Sequence, residues 1–125
     1  MSKSILLVDD DNDLRTIMSM KLQAAGFNVL EAVNGEEGIT QAREYNPDLV
    51  ILDVDMPKKN GIETLSDMHN DPELSKLKVV FLTNYGDSQG AGVDIKYATD
   101  LGALGYLKKT DDLSVILDKI KQFIK

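Results

Sequence analysis

Hydrophobic positions along the chain fall into two alternating kinds of run. Short apolar runs occur at 5–8, 28–31, 49–52, 79–82 and 105–107. Several hold apolar residues in succession, the pattern of strands covered on both faces of a parallel sheet. Between them apolar residues recur at helical spacing. Leu14, Ile17, Met18, Leu22 and Ala25 share one stripe, and Gly26 is its natural stop. Asn34 and Glu37 have the spacing of a capping box that opens a helix with Ile39 and Ala42 inside, closed by Asn46-Pro47. Ile62, Leu65 and Met68 make a third stripe. Val93, Tyr97, Ala98 and Leu101 make a fourth, after the loop "NYGDSQGAG". Leu113, Ile116, Leu117, Ile120, Phe123 and Ile124 make the fifth, started by Asp111 or Asp112.

Five alternating strand–helix units predict an α/β fold, a doubly wound five-stranded parallel sheet with helices on both faces. The common small version has strand order 2-1-3-4-5 and opens a crevice at the carboxyl ends of strands 1 and 3, where the winding reverses. Asp9 and Asp10 end the first strand and Asp53 ends the third. The topology therefore gathers three carboxylates from distant parts of the chain.

The 125 residues suit one domain, 1–125, with one core. No apolar run approaches the roughly 20 residues that span a bilayer, and the N-terminus lacks a signal-peptide core. Cysteine is absent, so disulfides and thiolate metal sites are excluded. These features fit a cytoplasmic protein without a membrane partner. The net charge of −7 and the scatter of basic residues argue against direct nucleic-acid binding.

The acidic cluster needs a neutraliser, because two like charges 4 Å apart repel by roughly 4 kcal/mol at an effective dielectric near 20. A few oxygen ligands at an open mouth suit Mg²⁺. A lysine from "GYLKK" at the fifth strand is a second source of positive charge. The plainer reading is helix capping, since residues 10–13 precede a helix, but capping does not explain acid on both sides of the switch point.

Four stretches in order, "LLVDDD", "PDLVILDVDMPKKNG", "VVFLT" and "GALGYLKK", make the chain resemble a receiver domain of bacterial two-component response regulators from end to end. The resemblance implies a flavodoxin-like fold and a set of roles. Asp10 binds Mg²⁺ directly and Asp9 acts through water. Asp53 is the phosphoacceptor, and the backbone carbonyl of Asp55 completes the metal site. Thr83 supplies the hydroxyl after the fourth strand, Tyr106 is the aromatic switch, and Lys109 rather than Lys108 is the site lysine. The implied partners are a sensor histidine kinase or histidine phosphotransfer protein, and an output protein. A homodimer through the fourth helix, fifth strand and fifth helix is a further implication. Phosphorylation is expected to reorder 84–98.

The chain departs from the family pattern at four places, one of them the third acid, Asp55, two residues after the phosphoacceptor. Thr110 stands where proline usually follows the lysine, which leaves open whether the 109–110 peptide is cis. Asn84 replaces a small residue. The 83–106 segment is long and carries Gly86, Gly90 and Gly92.

Rival readings are a haloacid dehalogenase-like phosphatase using Asp53 and Asp55 as its D-x-D pair, and a degenerate receiver acting only as a binding module. A flavodoxin-like cofactor domain is disfavoured because "DDDND" after strand 1 repels phosphate. The lone histidine, His69, reads as solvent-facing, and Tyr45, Tyr85 and Tyr97 as packing or surface residues.

Overall fold

A computed structural model describes residues 2–54, 56, 59–83, 99–100 and 102–125. The predicted fourth helical stripe, the glycine-rich 84–92 loop, Tyr85, Tyr97 and Asp55 lie outside the described residues. The described elements are β1 (Ser4–Val8), α1 (Asn12–Ala24), β2 (Asn28–Ala32), α2 (Gly35–Tyr45), β3 (Leu49–Asp53), α3 (Gly61–His69), β4 (Val79–Thr83), β5 (Gly105–Lys108) and α4 (Leu113–Ile124).

The strands form one parallel sheet in the order β2-β1-β3-β4-β5, as the alternation predicts. Most run one residue past the last apolar position. Asp53 and Thr83 are ladder residues, because backbone pairing continues where the side chains turn polar.

Alternate strand residues feed two cores. Leu6, Val8, Val50, Leu52, Val79 and Phe81 face α2 and α3, meeting Ala42, Leu65 and Met68. Ile5, Leu7, Ile51, Val80, Leu82 and Leu107 face α1 and α4, meeting Met18, Leu22, Ile116 and Ile120. A sheet sandwiched this way has no wet face, which is why β3 and β4 are buried at every position.

The helix stripes need two corrections. In α1 the buried line is Met18 and Leu22 with Ser19, Leu14 is half-buried on the same face, and Ile17 and Ala25 are exposed. Positions 14, 18 and 22 are successive i+4 neighbours on one face, and Ile17 lies about 100° round from Met18. The Asn34 carboxamide accepts from the Glu37 N–H at 2.8 Å, but the reciprocal Glu37 bond does not form. The complete capping box is at α3, where Asn60 and Glu63 each accept from the other's backbone N–H.

The stop signals hold. Gly26 takes φ +97° just beyond α1, a conformation that a side chain would strain. Asn46 is the left-handed cap of α2. Asp112 caps α4 through its backbone position, without a side-chain bond. His69 is exposed, as expected.

The corrected face of α1 gives a direct comparison. Leu22→Ala should lower the unfolding free energy by about 2–5 kcal/mol, as large-to-small changes in a buried core do. Ile17→Ala should lower it by less than about 1 kcal/mol. Urea denaturation of the two variants measures both, and equal losses would show that Ile17 is core.

Candidate functional site

The switch point of the sheet brings β1 and β3 side by side, with Val8 opposite Leu52. The next residue on each strand is an aspartate. Asp9 and Asp53 are both fully buried, and Asp10 stands exposed beside them. One carboxylate oxygen from each of the three lies within 4.8 Å of the others.

β5 supplies the counter-charge. The Lys109 N–H donates to the Thr83 carbonyl at 2.8 Å, which continues the β4–β5 ladder by one residue. The Lys109 side chain then reaches across the strand ends. Its Nζ stands 3.0 Å from Asp53 Oδ1 and 3.5 Å from Asp9 Oδ2. Lys108 precedes it on the strand and has no such ion pair with Asp9 or Asp53. Thr83 is buried at the end of β4, next to β3. Tyr106 pairs with Phe81 across β4 and β5 and packs, half-buried, against the α2–α3 core. The described residues contain no cis peptide, so the Lys109–Thr110 bond is trans.

Local structure holds the acidic groups in place. The Asp9 N–H donates to the Ala32 carbonyl at 3.1 Å. Asp9 Oδ1 accepts from the Asp11 N–H at 2.9 Å. Asp11 caps α1 by accepting from the N–H groups of Asp13 and Leu14. Below Asp53, Gly61 donates its N–H to the Val54 carbonyl at 3.1 Å. A Cβ at Gly61 would sit 2.4 Å from the Asp53 carbonyl oxygen, so only glycine lets α3 start this close to β3.

Burial, first, and then the neighbouring Asp9 charge push the Asp53 carboxyl up from its ordinary 3.8 to about 7. Its hydrogen bond and ion pair with Lys109 oppose that rise without cancelling it. Burial works against the Lys109 charge, but the hydrogen bond and charge of Asp53, with the charge of Asp9, outweigh it and hold the amine above the usual lysine range. Two buried carboxylates thus share one ammonium, and a third, Asp10, stands beside them. Among the described residues, Asp9 Oδ2, fully buried, meets the Lys109 ammonium at the ion-pair distance of 3.5 Å and has no well-formed hydrogen bond. An all-oxygen donor set with a buried oxygen without a well-formed hydrogen bond, and one exposed member at its mouth, fits a hard divalent cation.

The model of the response regulator receiver domain matches residues 5–121. The chain belongs to this family. Among its relatives, a probable transcriptional regulator, ycf29 of Pyropia yezoensis, is 38% identical over 124 residues, covering 99% of this chain and 54% of that protein. Sporulation initiation phosphotransferase F of Bacillus subtilis is 31% identical over 124 residues, covering 99% and 95%. In structure, the Vibrio cholerae chemotaxis protein CheY4 superposes with a TM-score of 0.87 at 25% identity, covering 98% and 99%. The chain spans about half the length of several curated relatives that it matches.

Receiver domains are phosphoacceptor signalling modules, and the dehalogenase-like and degenerate readings are not favoured. Of the site residues expected of this receiver, the sheet brings together Asp9, Asp10, Asp53, Thr83 and Lys109. It sets Tyr106 farther along β5, one residue before Leu107. Asp55 lies outside the described residues.

Sequence reasoning placed Gly61 in the loop after the third strand but not against Asp53, since its close approach depends on where α3 docks, and it missed Arg15. Nothing in the sequence singled out Arg15. Its side chain is only 12% exposed, and its Nη1 donates to the Asp9 carbonyl at 2.7 Å.

The raised Asp53 carboxyl has a consequence for stability. Folded Asp53 holds its proton up to about pH 7, while the unfolded group releases it near 3.8, so the folded state binds more protons between those values. Stability without metal should fall as pH rises through that window, and the loss is complete above it. Asp53→Asn removes the penalty. It should stabilise the metal-free protein by about 1–3 kcal/mol at pH 8 and by little at pH 4. Denaturation in chelator at the two pH values checks this.

Proposed function

We propose that Asp53 accepts a phosphoryl group from the phosphohistidine of a sensor histidine kinase or histidine phosphotransfer protein, and that the chain switches a protein-binding face in response. The observation that carries this reading is the Lys109 ammonium set 3.0 Å from a buried Asp53 and 3.5 Å from a buried Asp9. A structural ion pair does not need two buried carboxylates and a third at the mouth. A site that receives a phosphoryl group and a cation does.

In this reading the P–N bond of the donor breaks as a P–O bond to an Asp53 carboxylate oxygen forms, giving an acyl phosphate. Little covalent help is needed, so positioning and charge neutralisation do most of the work. The Lys109 ammonium stabilises the negative charge that develops on the phosphoryl oxygens. The Thr83 hydroxyl donates to a phosphoryl oxygen. Asp10, Asp53 and the Asp55 carbonyl, with Asp9 acting through water, would hold Mg²⁺. Bound Mg²⁺ supplies positive charge that offsets the carboxylates and the incoming phosphoryl oxygens. Attack of water on the acyl phosphate returns the carboxylate, so the chain is its own phosphatase and not a turnover enzyme.

The output runs from Thr83 to Tyr106, which turns inward, and reorders 84–98 and the adjoining face of β5 and α4. That face receives the output protein or a second copy of the chain. The protein acts in the cytoplasm. This accords with the family and with the finding that no described helix is long and apolar enough to cross a membrane.

Incubation with acetyl phosphate and Mg²⁺ followed by intact-mass analysis should show one phosphoryl adduct that hydroxylamine removes. Asp53→Asn should abolish the adduct, and Asp55→Asn should keep it. Label on Asp55 or His69 would overturn the assignment. Mg²⁺ should also raise the melting temperature of the wild type, and Asp10→Asn should weaken that rise.

A further inference from the structure

Arg15 sits six residues beyond Asp9 on the first turn of α1, and its guanidinium is spent entirely on the ground beneath the acidic cluster. Nη1 donates to the Asp9 carbonyl at 2.7 Å, Nε to Glu31 Oε1 on β2 at 3.0 Å, and Nη2 to Asn12 Oδ1 at 2.6 Å. The three donors of one rigid plane therefore tie β1, β2 and the start of α1 at a single point.

The Asp9 carbonyl belongs to the peptide unit that leads into Asp10. That unit is planar, so fixing the direction of its C=O fixes its N–H and restricts the backbone rotation that aims the Asp10 side chain. Asp9 itself is already held at its N–H by Ala32 and at Oδ1 by Asp11. Asp10 is the exposed member of the cluster, and the Arg15 contact is the one that sets the peptide before it. The charge of the guanidinium cannot be the purpose of this contact at a cation site, because positive charge there opposes cation binding.

We propose that Arg15 is a positioning residue for the metal site: its fork presets the Asp9–Asp10 peptide so that the Asp10 carboxylate is already aimed when Mg²⁺ arrives. The inference rests on the Mg²⁺ reading of the acidic cluster.

The two possible effects of Arg15 have opposite signs, and that makes the test sharp. Calorimetric titration of the full chain with MgCl₂ compares wild type, Arg15→Met and Arg15→Lys. Positioning predicts that Arg15→Met binds Mg²⁺ about tenfold more weakly, the usual scale for losing a partner that orients a metal ligand. Arg15→Lys keeps the charge but loses the fork, and should also bind more weakly, by less than Arg15→Met. An effect of charge alone predicts tighter binding for Arg15→Met and no change for Arg15→Lys, and either result would overturn the proposal.

Melting in chelator reports whether each variant folds. If Arg15→Met does not, Arg15→Lys and Asn12→Ala carry the test. Asn12→Ala removes one acceptor of the fork without changing charge, so weaker Mg²⁺ binding supports positioning and unchanged binding overturns it. A wild type that binds no Mg²⁺ overturns the metal reading and this inference together. A wild type that binds, with variants that match it, overturns this inference alone.

Discussion

The Lys109 ammonium, lying between the buried carboxylates of Asp53 and Asp9, is the interaction on which the site depends. Two carboxylates near 4 Å repel by roughly 4 kcal/mol at an effective dielectric near 20. Without a cation between them one would have to stay protonated. Lys109 reduces that repulsion but does not offset burial, and burial first, with the Asp9 charge second, still holds the Asp53 carboxyl near 7. The pocket therefore stores unbalanced negative charge. Stored charge of this kind favours whatever brings positive charge in, and it makes the fold sensitive to a change at Asp53.

The sheet is built so that this pairing has to form. Reversal of winding between β2 and β3 sets the ends of β1 and β3 together. Continuation of the β4–β5 ladder to the Lys109 N–H aims the lysine across them. Apolar side chains above and below leave these strand ends as the place where the core opens to polar groups. Around them short-range devices remove freedom. Asp11 caps α1 while its own N–H holds Asp9, Arg15 fixes the next peptide, and Gly61 brings the start of α3 against the Asp53 backbone. Each device acts on the backbone that carries a carboxylate, so small changes there are felt at the site.

Strand order and the meeting of Asp9, Asp10 and Asp53 were legible because they follow from unbroken apolar runs and from where acid interrupts them. The individual roles of Thr83, Tyr106 and Lys109 came from resemblance, since no periodicity marks a hydroxyl or an amine as functional. Ile17 was misplaced because a stripe of five apolar residues on a short helix is wider than the face that packs, and Ser19 takes a buried position that hydropathy would not assign. The capping box was expected at Asn34 and found at Asn60. The same N-x-x-E spacing occurs at both, and only the local backbone decides whether the glutamate folds back. Arg15 was invisible because its partners are a main-chain carbonyl and a glutamate sixteen residues away.

The most direct test of this account is the ionisation of Asp53 itself. Carbon-13 NMR of the aspartate carboxyl carbons, followed from pH 3 to 9 without metal and assigned with Asp53→Asn, reads the group alone. The account predicts a midpoint close to 7 for Asp53 in the metal-free protein, moving down into the usual carboxylate range when Mg²⁺ is added. A metal-free Asp53 that titrates near its ordinary 3.8, and that does not respond to Mg²⁺, would contradict it.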